Sequence, residues 1–493
     1  MEQIKTQVAI IGGGIIGTAI ARELSRYQVD FFVIERNAEV GWGATKANSG
    51  IIHAGFHDKP DSVKAKFCLA GNKLYPNLCE ELEVSYAQNG VMMVALSTEE
   101  KEILSKYYQQ GIENGVENLR IVSAQEALEL EPNLSKDVVA ALVAPNGGIV
   151  TPFELATALM ENAIDNGGQL LTDSAVQDIE VTRDGFIIYT PNTKIYAQKV
   201  INAAGVYSDQ IARMIGDEYF SIRGRKGEEY LLDKPWGALV SHTIFPVPTP
   251  VSKGILVIPT CEGNLMIGPT GDDSLNLEDF QTSQDGLTRI LAGATRMVPK
   301  IDPKQIICQF AGIRAASNRD DFIIEISPTT PGMIHLAGIE SPGLTAAPAI
   351  AIEVMNLLRL AGLELCEKAV FSPHRRPVVQ FHKLSREEQA RQISEDPRHG
   401  RIVCRCESIT EAEIIDAIER GARTVDGVKF RTRSGCGRCQ GGFCQPNVIG
   451  VIAQELKIPV EQVRKNHKNS QQIGFAAKDL LKKEAKGHET VNL

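Results

Sequence analysis

One stretch near the N-terminus restricts the fold more than any other, namely "QVAIIGGGIIGTAIARELSRYQVDFFVIE" at residues 7–35. Its apolar run at 7–11 predicts a buried parallel strand, the following segment a helix, and "FFVIE" a second strand. Gly12, Gly14 and Gly17 form G-x-G-x-x-G between the first strand and the helix. The first glycine permits the tight turn, the second lets a pyrophosphate approach the backbone, and the third lets the helix pack on the strand. This context predicts a dinucleotide-binding Rossmann unit.

The end of the second strand adds a further signal for a dinucleotide. Glu35 stands eighteen residues after Gly17, where an acidic side chain can accept hydrogen bonds from ribose hydroxyls. The helix N-terminus offers its free N–H groups to the phosphates. The sequence contains one such fingerprint, whereas an enzyme with separate Rossmann units for FAD and NAD would show two. The single fingerprint favours FAD alone, with another exit for the electrons.

Composition limits the class of protein. A chain of 493 residues is too long for one core, so two or three domains are expected. Its net charge of −9 argues against a nucleic-acid partner, because phosphate binding needs a basic surface. We find no signal peptide and no run that reaches the ~18 apolar residues of a membrane helix. The sequence therefore predicts a cytoplasmic protein with reduced thiols.

The next stretch, "GWGATKANSGIIHAGF", gives the chain a family resemblance. Together with the dinucleotide unit, it resembles the glycine/D-amino-acid-oxidase-like flavoproteins, and most of all their glycerol-3-phosphate oxidase and dehydrogenase branch. Later pieces follow in the order of that family, and they include "KVINAAGVYSDQIARMIG" and "GMIHLAGIESPGLTAAPAIAIEVMNLL". The resemblance covers roughly residues 5–370. It implies an α/β and α+β protein, in which an antiparallel-sheet substrate domain covers a Rossmann-type FAD-binding domain.

The domain boundaries follow from the resemblance and from local composition. Short apolar segments separated by turn residues between 218 and 270 predict the antiparallel sheet, to which residues 80–150 are expected to add helices. The charged, proline-containing stretch at 371–400 predicts a linker. The predicted parts are an oxidoreductase at 1–370 (FAD-binding at about 1–80, 150–215 and 330–370; substrate-binding at about 81–149 and 216–329), a small cysteine-containing domain at 401–456, and a C-terminal extension at 457–493.

Oxidation of an alcohol by a flavin needs a base, an aligned C–H bond and fixed positive charge. The resemblance implies that His53 is the base, since histidine titrates near neutrality. It also implies that Arg314 holds a phosphate or carboxylate, with Lys253 and Ser341 beside it. Without the resemblance, His53 reads as a structural histidine and Arg314 as a surface ion-pair partner of Asp320 or Asp321.

The resemblance further implies a set of FAD contacts. They are Gly12, Gly14, Ile15, Ile16, Gly17, Glu35, Arg36, Thr45, Asn48, Ser49, Gly50, Val176, Ala204, Gly205, Gly338, Gly343 and Leu344.

The basic segment "SIRGRKGEE" contains Arg223, Arg225 and Lys226. It is interpreted as a charged turn.

Half of the ten cysteines fall in "IVCRCESITE" and "SGCGRCQGGFC" near the C-terminus. A C-x-C segment and a C-x-x-C turn can aim four thiolates at one point, to enclose a [2Fe–2S] cluster or zinc. The pattern resembles the bacterioferritin-associated-ferredoxin-like [2Fe–2S] module, which implies the ligands Cys404, Cys406, Cys436 and Cys439 and leaves Cys444 over. A flavin collects two electrons and a cluster passes one at a time, which favours the cluster over structural zinc.

Helical signals surround these cysteines. A capping box at Ser408 and Glu411 predicts one helix, and "QPNVIGVIAQEL" predicts another after Cys444. The C-terminal module is therefore expected to be small and mainly helical.

The sequence thus predicts an FAD-dependent dehydrogenase that converts sn-glycerol 3-phosphate to dihydroxyacetone phosphate. Electrons would leave through the cluster to a redox partner subunit near the C-terminal module, which also allows peripheral association with the inner face of a membrane. One alternative is oxidation of a 2-hydroxy acid, such as L-2-hydroxyglutarate, or of an amino acid. Another is a non-catalytic redox or scaffold protein.

Overall fold

A computed structural model of the chain describes residues 2–248, 254–475 and 478. The chain divides into two compact units. The first consists of Met1–Arg36 and Val40–Pro377, and the second of Asn37–Glu39 and Val378–Leu493. Each unit has its own apolar core, as expected for a chain of this length.

The strands of the first unit are β1 Glu2–Ile11, β2 Phe31–Ile34, β3 Ile51–Ile52, β4 Tyr86–Ala87, β5 Val91–Ala95, β6 Arg120–Ser123, β7 Ala140–Ala144, β8 Gly148–Val150, β9 Gln169–Leu171, β10 Asp178–Thr182, β11 Gly185–Tyr189, β12 Thr193–Asn202, β13 Ile222–Leu232, β14 Thr243–Pro246, β15 Leu256–Pro259, β16 Leu265–Gly268, β17 Asp272–Ser274, β18 Ile306–Ser317, β19 Ile323–Ile326 and β20 Met333–Ala337. The second unit adds β21 Ile402–Cys404 and β22 Ile409–Thr410.

The helices of the first unit are α1 Ile15–Leu24, α2 Val63–Asn72, α3 Tyr75–Leu82, α4 Thr98–Glu113, α5 Ala124–Leu130, α6 Pro152–Asp165, α7 Ser208–Met214, α8 Gln284–Met297 and α9 Gly343–Leu360. Those of the second unit are α10 Arg386–Glu395, α11 Glu411–Glu419, α12 Val425–Thr432 and α13 Gln445–Leu456.

The first sheet is the predicted Rossmann sheet. Strands β12, β1, β2 and β9 lie side by side in parallel. Strand β20 pairs with the end of β12, also in parallel. Strand β1 lies in the middle of the parallel strands, and its residues Val8, Ala9 and Ile10 are fully buried. That position explains the continuous apolar run, since helices cover both faces of a parallel sheet. The strand–turn–helix–strand prediction for residues 7–35 is confirmed.

Helix α9 packs against α1 and α2 in the largest apolar core of the first unit. It is 18 residues long and, in the described part of the chain, the one helix long and apolar enough to cross a membrane. Its sequence includes Glu353, Asn356 and Arg359, so it is not an unbroken run of ~18 apolar residues, and the sequence prediction that no such run occurs is not contradicted. Of this helix, 61% is buried inside the unit, which is typical of a core helix of a folded domain.

The second sheet orders its strands β17-β13-β16-β15-β14-β5-β7-β6, with β18 on β13. All its pairs are antiparallel except β14 and β5, which run parallel. Two predictions need correction here. Residues 80–150 supply β5, β6 and β7 as well as α4 and α5, because their short apolar runs pair into the sheet. "SIRGRKGEE" is not a charged turn. From Ile222 onward it belongs to β13, which pairs with β18, and its charged residues alternate between the two sides of that strand.

The second unit is mainly helical, as predicted. Part of the predicted linker at 371–400 forms α10. Helix α11 begins with a capping box of Thr410 and Glu413, two residues beyond the predicted pair, because Ser408 lies in the left-handed region at φ 56°. The helix predicted after Cys444 is α13, with the same bounds.

Candidate active site

At two of the three glycines in the turn after β1, nearby backbone atoms leave no room for a side chain. Gly12 has φ +109°, and a Cβ there would lie 2.4 Å from the Ala203 carbonyl oxygen. A Cβ at Gly17 would lie 1.9 Å from the Gly12 carbonyl oxygen. Any larger residue would separate α1 from the turn, so these two positions require glycine even without a ligand.

Gly14 is different, and it provides the test of whether a dinucleotide fits. Its φ of −73° suits any residue, and the nearest atom to a Cβ would be Thr45 Oγ1 at 3.4 Å. Nothing in the protein therefore demands glycine here, whereas a pyrophosphate that approaches the backbone does. Gly14 also caps α1, and Thr45 Oγ1 accepts a hydrogen bond from the N–H of Ile15 at 3.0 Å. The residues present fit a dinucleotide at the helix N-terminus.

The two charged residues after β2 have different surroundings. Glu35 is buried, and its Oε2 accepts a hydrogen bond from the N–H of Gly13 at 2.8 Å, so it also holds the glycine turn in place. Arg36 reaches away to Glu278, at 3.1 Å, and its guanidinium lies 4.5 Å from the centre of the Tyr207 ring. Glu35 therefore contacts the predicted cofactor turn, whereas Arg36 is exposed at the surface.

A cavity of about 850 Å³ extends from the start of α1 across the second sheet to the start of α9. Its lining brings together ten of the predicted site residues, which are Ile15, Ile16, Thr45, Asn48, Ser49, His53, Arg314, Ser341, Gly343 and Leu344. The lining does not include Gly12, Gly14, Gly17, Glu35, Arg36, Gly50, Val176, Ala204, Gly205 or Gly338 among the described residues. Of these, Val176 packs on a core beside β10 and β11. Lys253 falls outside the described residues.

His53 and Ser341 meet inside this cavity. The Nε2 of His53 lies 3.1 Å from Ser341 Oγ. The backbone holds the histidine from two sides, since its N–H donates to Thr345 Oγ1 at 2.9 Å and its carbonyl accepts from Asn72 Nδ2 at 3.0 Å. The imidazole is thus held with one ring nitrogen against a hydroxyl, in an arrangement that suits a proton acceptor.

Arg314 supplies positive charge to the same cavity. Its Nη2 donates to the Thr270 carbonyl at 2.7 Å, and no carboxylate lies within 4.0 Å of its guanidinium among the described residues. The alternative of an ion pair with Asp320 or Asp321 does not occur: Asp320 faces Arg223, and Asp321 accepts from backbone N–H groups at the start of α2. Burial lowers the pKa of Arg314, against the opposing charges of Glu340 and Glu229.

A glycine of the neighbouring strand makes room for this arginine. Strands β13 and β18 pair Arg225 with Arg314 and, two residues along, Gly227 with Gly312. A Cβ at Gly227 would lie 3.1 Å from Arg314 Nη2. The guanidinium therefore lies across Gly227, on the cavity side of the sheet.

Five charged residues of the described cavity lining have no site role in the sequence predictions, namely Arg225, Glu229, Asp272, Asp273 and Glu340. Glu340 joins Lys64 at 3.0 Å and Arg225 at 3.3 Å in an ion-pair network at the cavity. The period-2 alternation of Arg225, Gly227 and Glu229 in "RKGEEYLL" is a strand signal that puts Arg225 and Glu229 on one face. Glu340 follows β20 and has no such signal.

In the second unit, the cysteines approach each other in pairs. Cys406 Sγ lies 3.6 Å from Cys439 Sγ. Cys404 and Cys444 are 1% and 2% exposed and share the apolar core of this unit. Burial raises the pKa of Cys444 to about 11, and the neighbouring thiols of Cys404 and Cys439 add to the effect.

Cys436 stands apart from these pairs. Its thiol makes no hydrogen bond to another cysteine among the described residues, which also contain no group of three side chains placed to hold a single metal ion. A [2Fe–2S] cluster takes two thiolates on each iron, so two pairs of cysteines are a donor set that fits it.

A Rossmann-type sheet with a glycine turn, and a cavity that holds a histidine and an arginine beside it, define a dinucleotide-dependent oxidoreductase. Comparison with known proteins specifies the cofactor. Residues 7–357 match the family model "FAD dependent oxidoreductase", and residues 402–454 match "BFD-like [2Fe-2S] binding domain". The chain belongs to the FAD dependent oxidoreductase family. FAD is thus the cofactor of the first unit, and a [2Fe–2S] cluster that of the C-terminal module.

Individual relatives extend this comparison. A glycerol 3-phosphate dehydrogenase of Caloramator mitchellensis is 45% identical over 94% of this chain and 97% of its own. The structure of a dithionite-reduced L-alpha-glycerophosphate oxidase from Mycoplasma pneumoniae with FAD bound superimposes with a TM-score of 0.72, at 31% identity over 77% of this chain and 100% of its own. A mitochondrial L-2-hydroxyglutarate dehydrogenase of Pongo abelii is 30% identical over 70% of this chain and 85% of its own.

Proposed function

We propose that this chain is an FAD-dependent dehydrogenase of sn-glycerol 3-phosphate, with dihydroxyacetone phosphate as product. The observation that carries the proposal is the contact between His53 Nε2 and Ser341 Oγ, at 3.1 Å, in the cavity that also holds Arg314. The names of the Caloramator and Mycoplasma relatives support the same substrate.

Each residue has a distinct role in this proposal. His53 takes the proton of the substrate's C2 hydroxyl as the C2–H bond breaks, and bound FAD supplies the acceptor for the hydride. Ser341 holds the imidazole in place through Nε2, until the C2 hydroxyl of the substrate replaces the serine as the partner of that nitrogen. Arg314 binds the phosphate, for which its planar guanidinium is suited. Lys253, from the segment between Pro248 and Gly254, is proposed to assist at the phosphate.

Oxidation of a 2-hydroxy acid is the second candidate. The resemblance to an L-2-hydroxyglutarate dehydrogenase favours it, since Arg314 would bind a carboxylate as readily as a phosphate. One cavity acid argues against a substrate with a second carboxylate. Asp272, Asp273 and Glu340 are each paired with an arginine or a lysine, whereas Glu229 has no cationic side chain within 4.0 Å among the described residues.

For the exit of electrons, we propose that the cluster is held by Cys404, Cys406, Cys439 and one further cysteine. The spacing of the C-x-x-C turn favours Cys436 as that ligand. The contact of Cys444 with the core that contains Cys404 favours Cys444 instead. The acceptor is then a redox partner subunit that docks near residues 401–456, and it takes the electrons one at a time.

The experiment is an anaerobic substrate panel with the purified holoenzyme. Glycerol 3-phosphate, L-2-hydroxyglutarate and an amino acid are added separately, and the loss of flavin absorbance is followed. The proposal expects rapid bleaching by glycerol 3-phosphate alone. Bleaching by the hydroxy acid alone would support the second candidate, and bleaching by none of them would leave a non-catalytic redox protein.

A further inference from the structure

Glu229 is a buried acid of the cavity to which the proposed chemistry gives no role. It is 2% exposed and belongs to the cavity lining. Its Oε1 accepts a hydrogen bond from the Ser49 hydroxyl, whereas its Oε2 is buried without a hydrogen-bond partner among the described residues. A buried carboxyl oxygen without a partner destabilises a protein, so this atom calls for a donor that the chain itself does not provide.

The strand that carries Glu229 fixes its direction. Arg225, Gly227 and Glu229 alternate along β13 and all line the cavity. The residues between them face the other side, where Lys226 pairs with Asp279 at 2.8 Å and Glu228 accepts from the N–H of Ser283 at 2.8 Å. The face of the sheet on which Glu229 lies therefore follows from the alternation of side chains along β13.

Arg314 lies next to this acid. Its guanidinium lies across Gly227, and Glu229 follows two residues later, ~7 Å further along the strand. Burial raises the pKa of Glu229 to about 7, against the hydrogen bond from Ser49 and the charge of Arg314. The cavity thus offers a cation and a hydrogen-bond acceptor at positions ~7 Å apart along the strand. A ligand with an anionic group at one end and a neutral hydroxyl at the other matches this pair.

We propose that Glu229 accepts, through Oε2, the hydrogen bond of the terminal hydroxyl of a polyol phosphate, and that it thereby selects this substrate class over 2-hydroxy acids. Above about pH 7, where Glu229 is ionised, a hydroxy acid would place a second carboxylate at the same point and meet a like charge. This inference rests on the proposed function, because that function supplies the phosphate for Arg314 and the C2 hydroxyl for His53.

The test uses three compounds that differ only in the group expected at Glu229. Glycerol 3-phosphate carries a hydroxymethyl group there, propane-1,2-diol 1-phosphate a methyl group, and the 3-phosphoglycerate of the same C2 configuration a carboxylate. The first two are assayed by kcat/KM for anaerobic flavin reduction, and the third by its inhibition constant. The proteins are the wild-type holoenzyme, Glu229→Leu and Glu229→Gln, each checked for flavin content.

The wild-type enzyme is expected to prefer glycerol 3-phosphate over the deoxy analogue by roughly 10- to 100-fold, the range for a hydrogen bond to a charged group. Glu229→Leu should lower kcat/KM for glycerol 3-phosphate alone and so remove this preference. Glu229→Gln keeps a hydrogen-bond acceptor but no charge, and it should tighten inhibition by phosphoglycerate roughly 10-fold.

Several results would overturn the inference. One is an equal loss with both alcohols in Glu229→Leu, which is what a merely structural residue gives. If that variant does not fold, unchanged inhibition by phosphoglycerate in Glu229→Gln is equally decisive. Lack of preference in the wild-type enzyme would also overturn it while leaving the proposed function intact. If the wild-type enzyme does not oxidise glycerol 3-phosphate at all, the proposed function and this inference fail together.

Discussion

The imidazole of His53 and the hydroxyl of Ser341 lie 3.1 Å apart, although 288 positions separate them in the chain. One follows β3 and the other precedes α9, so the fold of the first unit is needed to bring them together.

Replacement of Ser341 by alanine should therefore disturb the base without removing it. We expect kcat for flavin reduction to fall roughly 10-fold, as for the loss of one hydrogen bond, with KM little changed. The matched control is Ser341→Thr, which keeps the hydroxyl and should restore most of the rate. Equal rates for the alanine and threonine variants would exclude a positioning role for Ser341.

Gly227 and Gly271 provide a graded test of the position of Arg314. A Cβ at Gly227 would lie 3.1 Å from Arg314 Nη2, whereas a Cβ at Gly271 would lie at an ordinary 3.7 Å. Gly227→Ala should push the guanidinium aside and raise KM roughly 10-fold. Gly271→Ala should leave KM near the wild-type value. A change of the same size in both variants would contradict the placement of Arg314 across Gly227.

The pKa of Glu229, raised by burial from 4.5 to about 7, makes stability depend on pH. Between these values the folded state keeps a proton that the unfolded state has lost, so stability falls as pH rises through this window. Among the described residues, the titratable groups that share the cavity with Glu229 are His53, Tyr107, Arg225, Asp272, Asp273, Arg314 and Glu340.

Glu229→Gln removes this dependence. It should leave stability unchanged near pH 4.5 and increase the free energy of unfolding by up to about 3 kcal/mol at pH 8. Thermal midpoints of the two holoenzymes at pH 5 and pH 8 test this. A difference between variant and wild type that is the same at both pH values would rule out titration of Glu229 as its cause.

The five C-terminal cysteines should fall into two groups when each is replaced by serine. Because Cys406 lies against Cys439, and Cys444 shares the core with Cys404, we expect these four variants to lose the cluster. Cys436→Ser should keep it. Iron content and the electron paramagnetic resonance spectrum of the reduced protein give the answer without an activity assay. Loss of iron in Cys436→Ser, together with its retention in Cys444→Ser, would restore the ligand set that the C-x-x-C spacing predicts.

The sequence predicted those parts of the molecule that depend on local patterns. The apolar run of β1, the glycine turn and α13 each carry their signal within a few residues, and the structure has all three. His53 and Arg314 were found through the family resemblance, since neither has a local signal of function.

What escaped prediction depends on contacts between distant segments. Arg225 and Glu229 reach the cavity because β13 pairs with β18, some 85 residues later, and that pairing has no local signature. The many charged residues of "SIRGRKGEE" favour a turn by composition, whereas its period-2 alternation of side chains is the signal of a strand. The capping box was placed at Ser408 because Ser408 and Thr410 are each followed three residues later by glutamate.

The most direct test of the account is the anaerobic rate at which glycerol 3-phosphate bleaches the flavin of the wild-type enzyme and of His53→Ala. The variant removes the proposed base and no residue of the glycine turn, so it should bind FAD normally. We predict rapid bleaching of the wild-type enzyme and a rate ~10²–10⁴-fold lower in the variant. Equal rates in the two proteins, at equal flavin content, would contradict the account.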